Sequence, residues 1–204
     1  EEITTRGIEA QAVNTLWMRK NKICADSTDG IGLIEDFNQN SITIKNSKIL
    51  LLGAGGAARS ILPSLLSKEP DTITIFNRTA SKSKALTKLF NKTKTEVYDS
   101  GPGKSTKQDF TGIINASSAE LLNNKAVLPR NIFDQALWVY DLSYSKKETK
   151  FISLAKQNGV KNCTDGLGML VHQAAKSFEL WTGQAPKVKK TLDYLRESLL
   201  REKG

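Results

Sequence analysis

The sequence predicts an α/β protein built on a doubly wound parallel sheet. Three observations lead there. Short apolar runs and amphipathic runs alternate in the order βαβα…β with short links. The first buried run, Lys48–Leu52, is continuously apolar after its lysine, as in a strand covered on both faces. A glycine-rich turn follows that run directly and opens a helix.

The chain has 204 residues, enough for one large domain or one and a half. With 39% hydrophobic and 25% charged residues, wholesale disorder and collagen-like repeats are excluded. No apolar run approaches the roughly 20 residues that span a bilayer, and residues 1–6 carry no signal-peptide pattern. The net charge of +9 admits nucleic acid, anionic membrane or a phosphorylated ligand without choosing among them, and an ordinary basic surface accounts for it as well. No basic motif interleaved with aromatics and no helix-turn-helix pattern supports nucleic acid. Cys24 and Cys163 make no disulfide framework, and the single His172 argues against a Cys/His zinc site. The expectation is a reducing, cytoplasmic protein with no metal.

Along the chain, residues 12–18 predict a strand, Lys20-Asn21-Lys22 a turn and 23–25 the returning strand of a hairpin. Asp29 stands at the N-cap of a helix marked by Ile31, Ile34 and Phe37, with Leu33 beside them. After the strand Lys48–Leu52 comes a helix over 57–67, which Pro63 kinks or loosens. A strand over 71–76 and a helix over 82–91 follow. Gly112–Asn115 and 138–142 are further strands, and 149–157 a helix stopped by Asn158-Gly159. Residues 168–181 form a strong helix, stopped by Gly183 and Pro186. The stripe Val188, Leu192, Leu195 and Leu199 marks a last helix, packed on its own domain rather than in a coiled coil.

The turn after the first parallel strand reads Gly53-Ala54-Gly55-Gly56-Ala57-Ala58. Gly53 permits the tight turn, Gly55 lets a pyrophosphate approach the backbone, and Ala58 lets the helix lie close on the sheet. The helix N-terminus then offers N–H groups and positive dipole to phosphates. This is a Rossmann-like dinucleotide site in which Gly53, Ala54, Gly55, Gly56 and Ala57 contact the cofactor. At the end of the second strand, Asn77-Arg78-Thr79 holds no carboxylate for an NAD ribose. Arg78 can fork onto a 2′-phosphate, and Thr79, Ser81 and Lys82 add donors, which predicts NADP over NAD. The lysines from Lys84 to Lys94 are a solvated face.

Taken together, Ala12-Val13-Asn14-Thr15-Leu16, Ser27-Thr28-Asp29-Gly30-Ile31-Gly32, the glycine turn, Asn77-Arg78-Thr79 and the run Asp165-Gly166-Leu167-Gly168-Met169-Leu170-Val171-His172-Gln173-Ala174-Ala175 resemble the shikimate dehydrogenase family over essentially the whole chain. The glycine and Asn-Arg-Thr motifs alone are shared with the NADP module of glutamyl-tRNA reductase; the first and last motifs set the family apart. The resemblance implies a two-domain enzyme that interconverts shikimate and 3-dehydroshikimate with NADP, in aromatic amino-acid biosynthesis. It assigns a catalytic and substrate-holding role to Asp29, where a helix N-terminus favours negative charge. It makes Asn14, Gln173 and Tyr144 substrate residues, and puts Leu142, Gly166 and Met169 near the nicotinamide. The implied division is 1–28 for part of the substrate domain, 29–164 for the NADP domain and 165–204 for helices returning to the substrate domain. The partner is a small-molecule substrate, with no nucleic acid or membrane, and the protein is a monomer or homodimer.

The same resemblance marks departures. In the family a βαβαβ portion precedes the point where this sequence starts, and carries a Ser-x-Ser loop and a catalytic lysine. Lys20 and Lys22 do not match that motif. A carboxylate alone is a poor proton donor at neutral pH, so a chain without the lysine is expected to bind cofactor and turn over slowly. Residues 12–18 and 168–181 are expected to expose apolar surface, with dimerisation or swapping as responses. A piece of a longer protein is expected rather than a natural short homologue. Ser27 replaces a usual Asn, and residues 116–120 replace a Thr-Ser-Ser-Gly-Met run. A quinate/shikimate enzyme preferring NAD, or a non-catalytic NADP-binding module, are the alternatives.

Overall fold

The computed structural model describes residues 1–90, 93–101, 109–117, 128–129 and 131–201. The Ser118-Ala119-Glu120 part of the departure noted above lies outside the described residues.

The chain begins with β1 (Glu2–Ile3) and α1 (Thr5–Ala10), followed by the hairpin β2 (Thr15–Arg19) and β3 (Lys22–Asp26). These strands form a small sheet in the order β1-β3-β2. Lys20 and Asn21 both have positive φ, 47° and 60°, the backbone twist of a two-residue hairpin turn. The ladder starts at Thr15 opposite Asp26, so the strand opens three residues later than the sequence predicts. Arg6 forks onto the buried carboxylate of Asp26, which also accepts the Thr4 hydroxyl at 2.5 Å, and this pins α1 to the hairpin.

Helix α2 (Asp29–Gln39) corrects one expectation. Thr28 is the N-cap and Asp29 the first helical residue. The Asp29 carboxylate accepts the side-chain amide of Asn14 through Oδ1.

The large sheet follows: β4 (Lys48–Leu52), α3 (Gly56–Leu66), β5 (Thr72–Phe76), α4 (Ala80–Leu89), β6 (Glu96–Ser100), β7 (Gly112–Asn115), β8 (Trp138–Asp141), α5 (Lys150–Gln157) and β9 (Asn162–Asp165). All six strands are parallel, in the order β6-β5-β4-β7-β8-β9. From β4 the chain winds outward through β5 to β6, then crosses back to β7 and winds the other way. The reversal between β4 and β7 leaves a crevice at the carboxyl ends of the strands.

Successive side chains of β4 enter opposite cores. Ile49 and Leu51 pack with Leu33, Phe37, Ile61 and Leu86, while Leu50 and Leu52 pack with Phe110, Phe133 and Phe151. This two-sided burial is why the run carries no alternation. Pro63 lies inside α3 and has no N–H for the carbonyl of Arg59, so one helical bond is missing there. Strands β6 and β9, the sheet edges, and the two short N-terminal elements were not expected. Edge strands keep half their residues polar, and β6 reads Glu-Val-Tyr-Asp-Ser.

Helix α6 (Leu167–Thr182) ends at Gly183 in the left-handed conformation, and α7 (Val188–Arg201) follows. Leu192 of α7 packs on Leu167 and Val171 of α6, so its apolar stripe is used within the chain, as expected. On β2 and the end of α6, Leu16, Met18 and Trp181 are more than half exposed, in line with the apolar surface predicted there. Among the described residues no helix is long and apolar enough to cross a membrane.

Candidate active site

Gly53 has φ +108°, a conformation that side chains disfavour, and a Cβ there would sit 2.7 Å from the Ala116 carbonyl oxygen. The turn therefore lies hard against the end of β7. At Gly55 a Cβ would meet nothing within 4 Å, so open space faces the backbone at that point. Gly55 is the N-cap of α3 and has no side chain to cap it, which leaves first-turn N–H groups for an anion.

These residues border a pocket of about 270 Å³. Gly53, Ala54 and Gly55 form one wall; Asn77, Arg78, Thr79 and Lys82 form a second; Ala116 and Ser117 close the third. The Asn77 amide donates to the Thr79 carbonyl at 2.9 Å, which fixes the strand end that carries Arg78. A bare helix N-terminus, a cradle without side chains and a guanidinium on the adjacent strand fit a phosphorylated dinucleotide. Gly56 and Ala57 are exposed on the first turn of α3, and Ser81 is exposed on α4; none of the three lines the pocket. Leu142 and Gly166 touch: a Cβ on Gly166 would fall 2.0 Å from the Leu142 carbonyl oxygen. Met169 is buried in the core beneath the sheet.

A second constellation joins three distant segments. The Asn14 amide donates to Asp29 Oδ1 at 2.6 Å and to Gln173 Oε1 at 3.1 Å. Asn14 Oδ1 accepts from the Thr28 N–H at 3.0 Å and from the Thr15 hydroxyl at 2.9 Å. Behind them Ser177 Oγ lies 2.7 Å from Thr15 Oγ1 and 3.1 Å from Thr28 Oγ1. Asn14 is exposed and Asp29 half-buried, whereas Thr15, Thr28 and Ser177 are buried. The buried hydroxyls thus set the orientation of the Asn14 and Gln173 amides. An amide fixed between a carboxylate and a second amide suits a ligand rich in hydroxyls. Tyr144 stands apart, exposed on the segment after β8 and outside this hydrogen-bonded group.

Sequence reasoning missed Thr15, Thr28 and Ser177. The first two stand inside the quoted motifs, and Ser177 is one helical turn beyond Gln173, a spacing that puts both on one face. It also missed two buried carboxylates. Asp36 accepts the Tyr140 hydroxyl at 2.6 Å and ties α2 to β8; burial pushes its pKa up. Asp141, raised chiefly by burial, takes hydrogen bonds at the end of β8. Among the described residues no cluster of His, Cys, Asp and Glu could hold a metal ion.

Comparison with known proteins agrees with this geometry. The family model described as shikimate / quinate 5-dehydrogenase matches residues 36–141, and that described as shikimate 5'-dehydrogenase C-terminal domain matches residues 166–193. A shikimate dehydrogenase (NADP(+)) from Colwellia psychrerythraea is 45% identical over 199 residues, covering 98% of this chain and 72% of that protein. Among solved structures, an Ael1 enzyme from Pseudomonas putida is 34% identical with a TM-score of 0.85, covering 96% of this chain and 72% of that one. A shikimate 5-dehydrogenase from Thermus thermophilus in complex with shikimate is 26% identical with a TM-score of 0.78, covering 98% and 72%. On the strength of these matches, with the glycine turn and the polar cluster of Asn14, Asp29 and Gln173 both in place, the chain belongs to the NADP(+)-dependent shikimate dehydrogenase family.

Proposed function

We propose that this chain binds NADP(H) between the glycine turn and Arg78, holds shikimate or 3-dehydroshikimate against Asp29, Asn14 and Gln173, and interconverts the two within aromatic amino-acid biosynthesis. The observation that carries the reading is the meeting of Asn14 with Asp29 and Gln173, the latter 159 residues away, at 2.6 and 3.1 Å. The names of the relatives supply NADP(+) and shikimate as the ligands.

When bound, NADP(H) supplies or accepts a hydride. Arg78 pairs with the 2′-phosphate, and Thr79 and Lys82 add donors beside it. The first turn of α3 holds the pyrophosphate against Gly55. On the substrate side Asn14 binds Asp29 through Oδ1, which leaves Oδ2 to hold a ring hydroxyl by accepting its hydrogen bond, while the proton itself goes to the lysine that the family carries upstream. The Gln173 amide orients a second hydroxyl. Tyr144 is assigned to the substrate by the family motif alone. The division into 1–28, 29–164 and 165–204 suits this reading, since β2 and α6 share the substrate cluster. A cytoplasmic location and a monomer or homodimer accord with a small-molecule substrate.

The test is absorbance at 340 nm with shikimate and NADP(+), on this chain and on one extended upstream to the length of its relatives. NADPH formation in the extended chain supports the reading. Absence of NADPH formation, together with absence of NADP(+) binding by either chain, overturns it.

A further inference from the structure

We infer that Asp36 and Tyr140 are positioning residues for the substrate cluster, holding α2 and α6 at the crossing that brings Asp29 and Gln173 to the same Asn14 amide; this rests on the substrate reading above. Neither residue belongs to the cluster. At 1% and 0% exposure they act only through the elements they join. Asp29 opens α2 and Gln173 lies in α6, so the separation of these two side chains follows the crossing of the helices.

The crossing is close. A Cβ on Gly32 would sit 2.7 Å from the Gln173 Cβ. Asp36 lies one turn further along the same face of α2 and stands against the first turn of α6. There a Cβ on Gly168 would fall 2.0 Å from Asp36 Oδ1, so the carboxylate fills the place of a side chain on α6. Gly166, the N-cap of α6, supplies no side-chain cap, and a helix N-terminus favours negative charge beside it.

Tyr140 fixes that carboxylate to the sheet. Its hydroxyl donates to Asp36 Oδ2 at 2.6 Å, and Asn40 Nδ2 donates to Oδ1 at 3.0 Å. The Tyr140 backbone is held in β8 between Ile114 of β7 and Thr164 of β9. Its ring packs on Phe37 with centroids 4.9 Å apart, which keeps the hydroxyl aimed at α2. Leaving a buried carboxylate half-paired is costly, so α2, α6 and β8 meet at one fixed point. An apolar pair of the same volume would fill the space, but a hydrogen bond also fixes direction.

The experiment measures kcat and KM for shikimate with NADP(+), and affinity for 2′,5′-ADP, which carries the adenosine half without nicotinamide. It uses the extended chain and its Tyr140→Phe, Asp36→Ala and Asp36→Asn variants. The first two break the bond between the pair, and KM is expected to rise about fivefold in each, the weight of one lost hydrogen bond. In Asp36→Asn the amide still bonds Tyr140, and KM should stay within about twofold of the unaltered chain. Affinity for 2′,5′-ADP should hold in all three, because Arg78 and Gly55 line a pocket that neither residue borders. A merely structural role lowers the melting temperature and, through the folded fraction, the apparent kcat, and leaves KM alone. KM within about twofold of the unaltered chain in a folded Tyr140→Phe or Asp36→Ala overturns the inference, as does a parallel loss of 2′,5′-ADP affinity. Should one of these two fail to fold, the other decides. If the unaltered extended chain forms no NADPH from shikimate, the substrate reading fails and this inference with it.

Discussion

The side-chain amide of Asn14 donates to Oδ1 of Asp29 at 2.6 Å, and so joins the start of the β2–β3 hairpin to the first turn of α2. Asp29 is the first residue of that helix and half-buried, and Thr28 before it is the N-cap.

Asp29→Asn replaces the carboxylate that holds the reacting hydroxyl with an amide. Turnover of shikimate by the extended chain is expected to fall by about 10²- to 10⁴-fold, the usual loss when a group that assists proton transfer is removed. Cofactor affinity should stay unchanged, because Asp29 lies outside the glycine pocket. Steady-state kinetics and a binding titration check both; unchanged turnover removes Asp29 from the mechanism.

Arg78→Ala removes the guanidinium from the pocket that Gly55 also lines. NADP(+) affinity should drop by about ten- to a hundredfold, while NAD(+) affinity barely moves. Calorimetric titration with both oxidised cofactors measures the ratio. Equal losses for the two count against the 2′-phosphate role.

Gly32 lies where α2 crosses α6. A Cβ there would sit 2.6 Å from the Met169 carbonyl oxygen and 2.8 Å from the Gln173 backbone nitrogen. Neither backbone atom can rotate away, so Gly32→Ala must part the helices, at a cost of about 1–3 kcal/mol. Thermal denaturation should show the loss. Gln173 moves with α6, so KM for shikimate should rise while the affinity for 2′,5′-ADP holds. A variant with wild-type stability and KM would show that the crossing is looser than the distances imply.

Burial raises the pKa of Asp141 above its ordinary 3.8, and the Thr149, Ser143 and Asn115 donors only partly offset this. A folded pKa above the unfolded one means that the folded state binds more protons. The stability this group contributes is complete below the unfolded pKa and is lost as pH rises through the folded one. Asp141→Asn has no such titration. Urea denaturation at about pH 4.5 and about pH 7 should therefore find the wild type's advantage over the variant shrinking as pH rises. An advantage that grows with pH would contradict the raised value.

The sequence by itself determined the cofactor half. Strand, turn, helix and the next strand end lie within about thirty consecutive residues of one βαβ unit. The backbone freedom of Gly53, the open cradle at Gly55 and the guanidinium of Arg78 are all local properties, and β4 and β5 set them side by side. The hairpin and the long helices were legible for the same reason, since period and turn chemistry act over short range. Strands β6 and β9 were not, because sheet edges lack the continuous apolar run that marks the centre. Motif resemblance named Asn14, Asp29 and Gln173, but only the tertiary structure brought them within hydrogen-bonding distance and set Thr15, Thr28 and Ser177 behind them. The tie of Asp141 to Asn115 likewise exists only once β7 and β8 pair in register. Such contacts cost chain entropy that no local segment can offset, so they form only when the packed cores on both faces of the sheet fix the elements together.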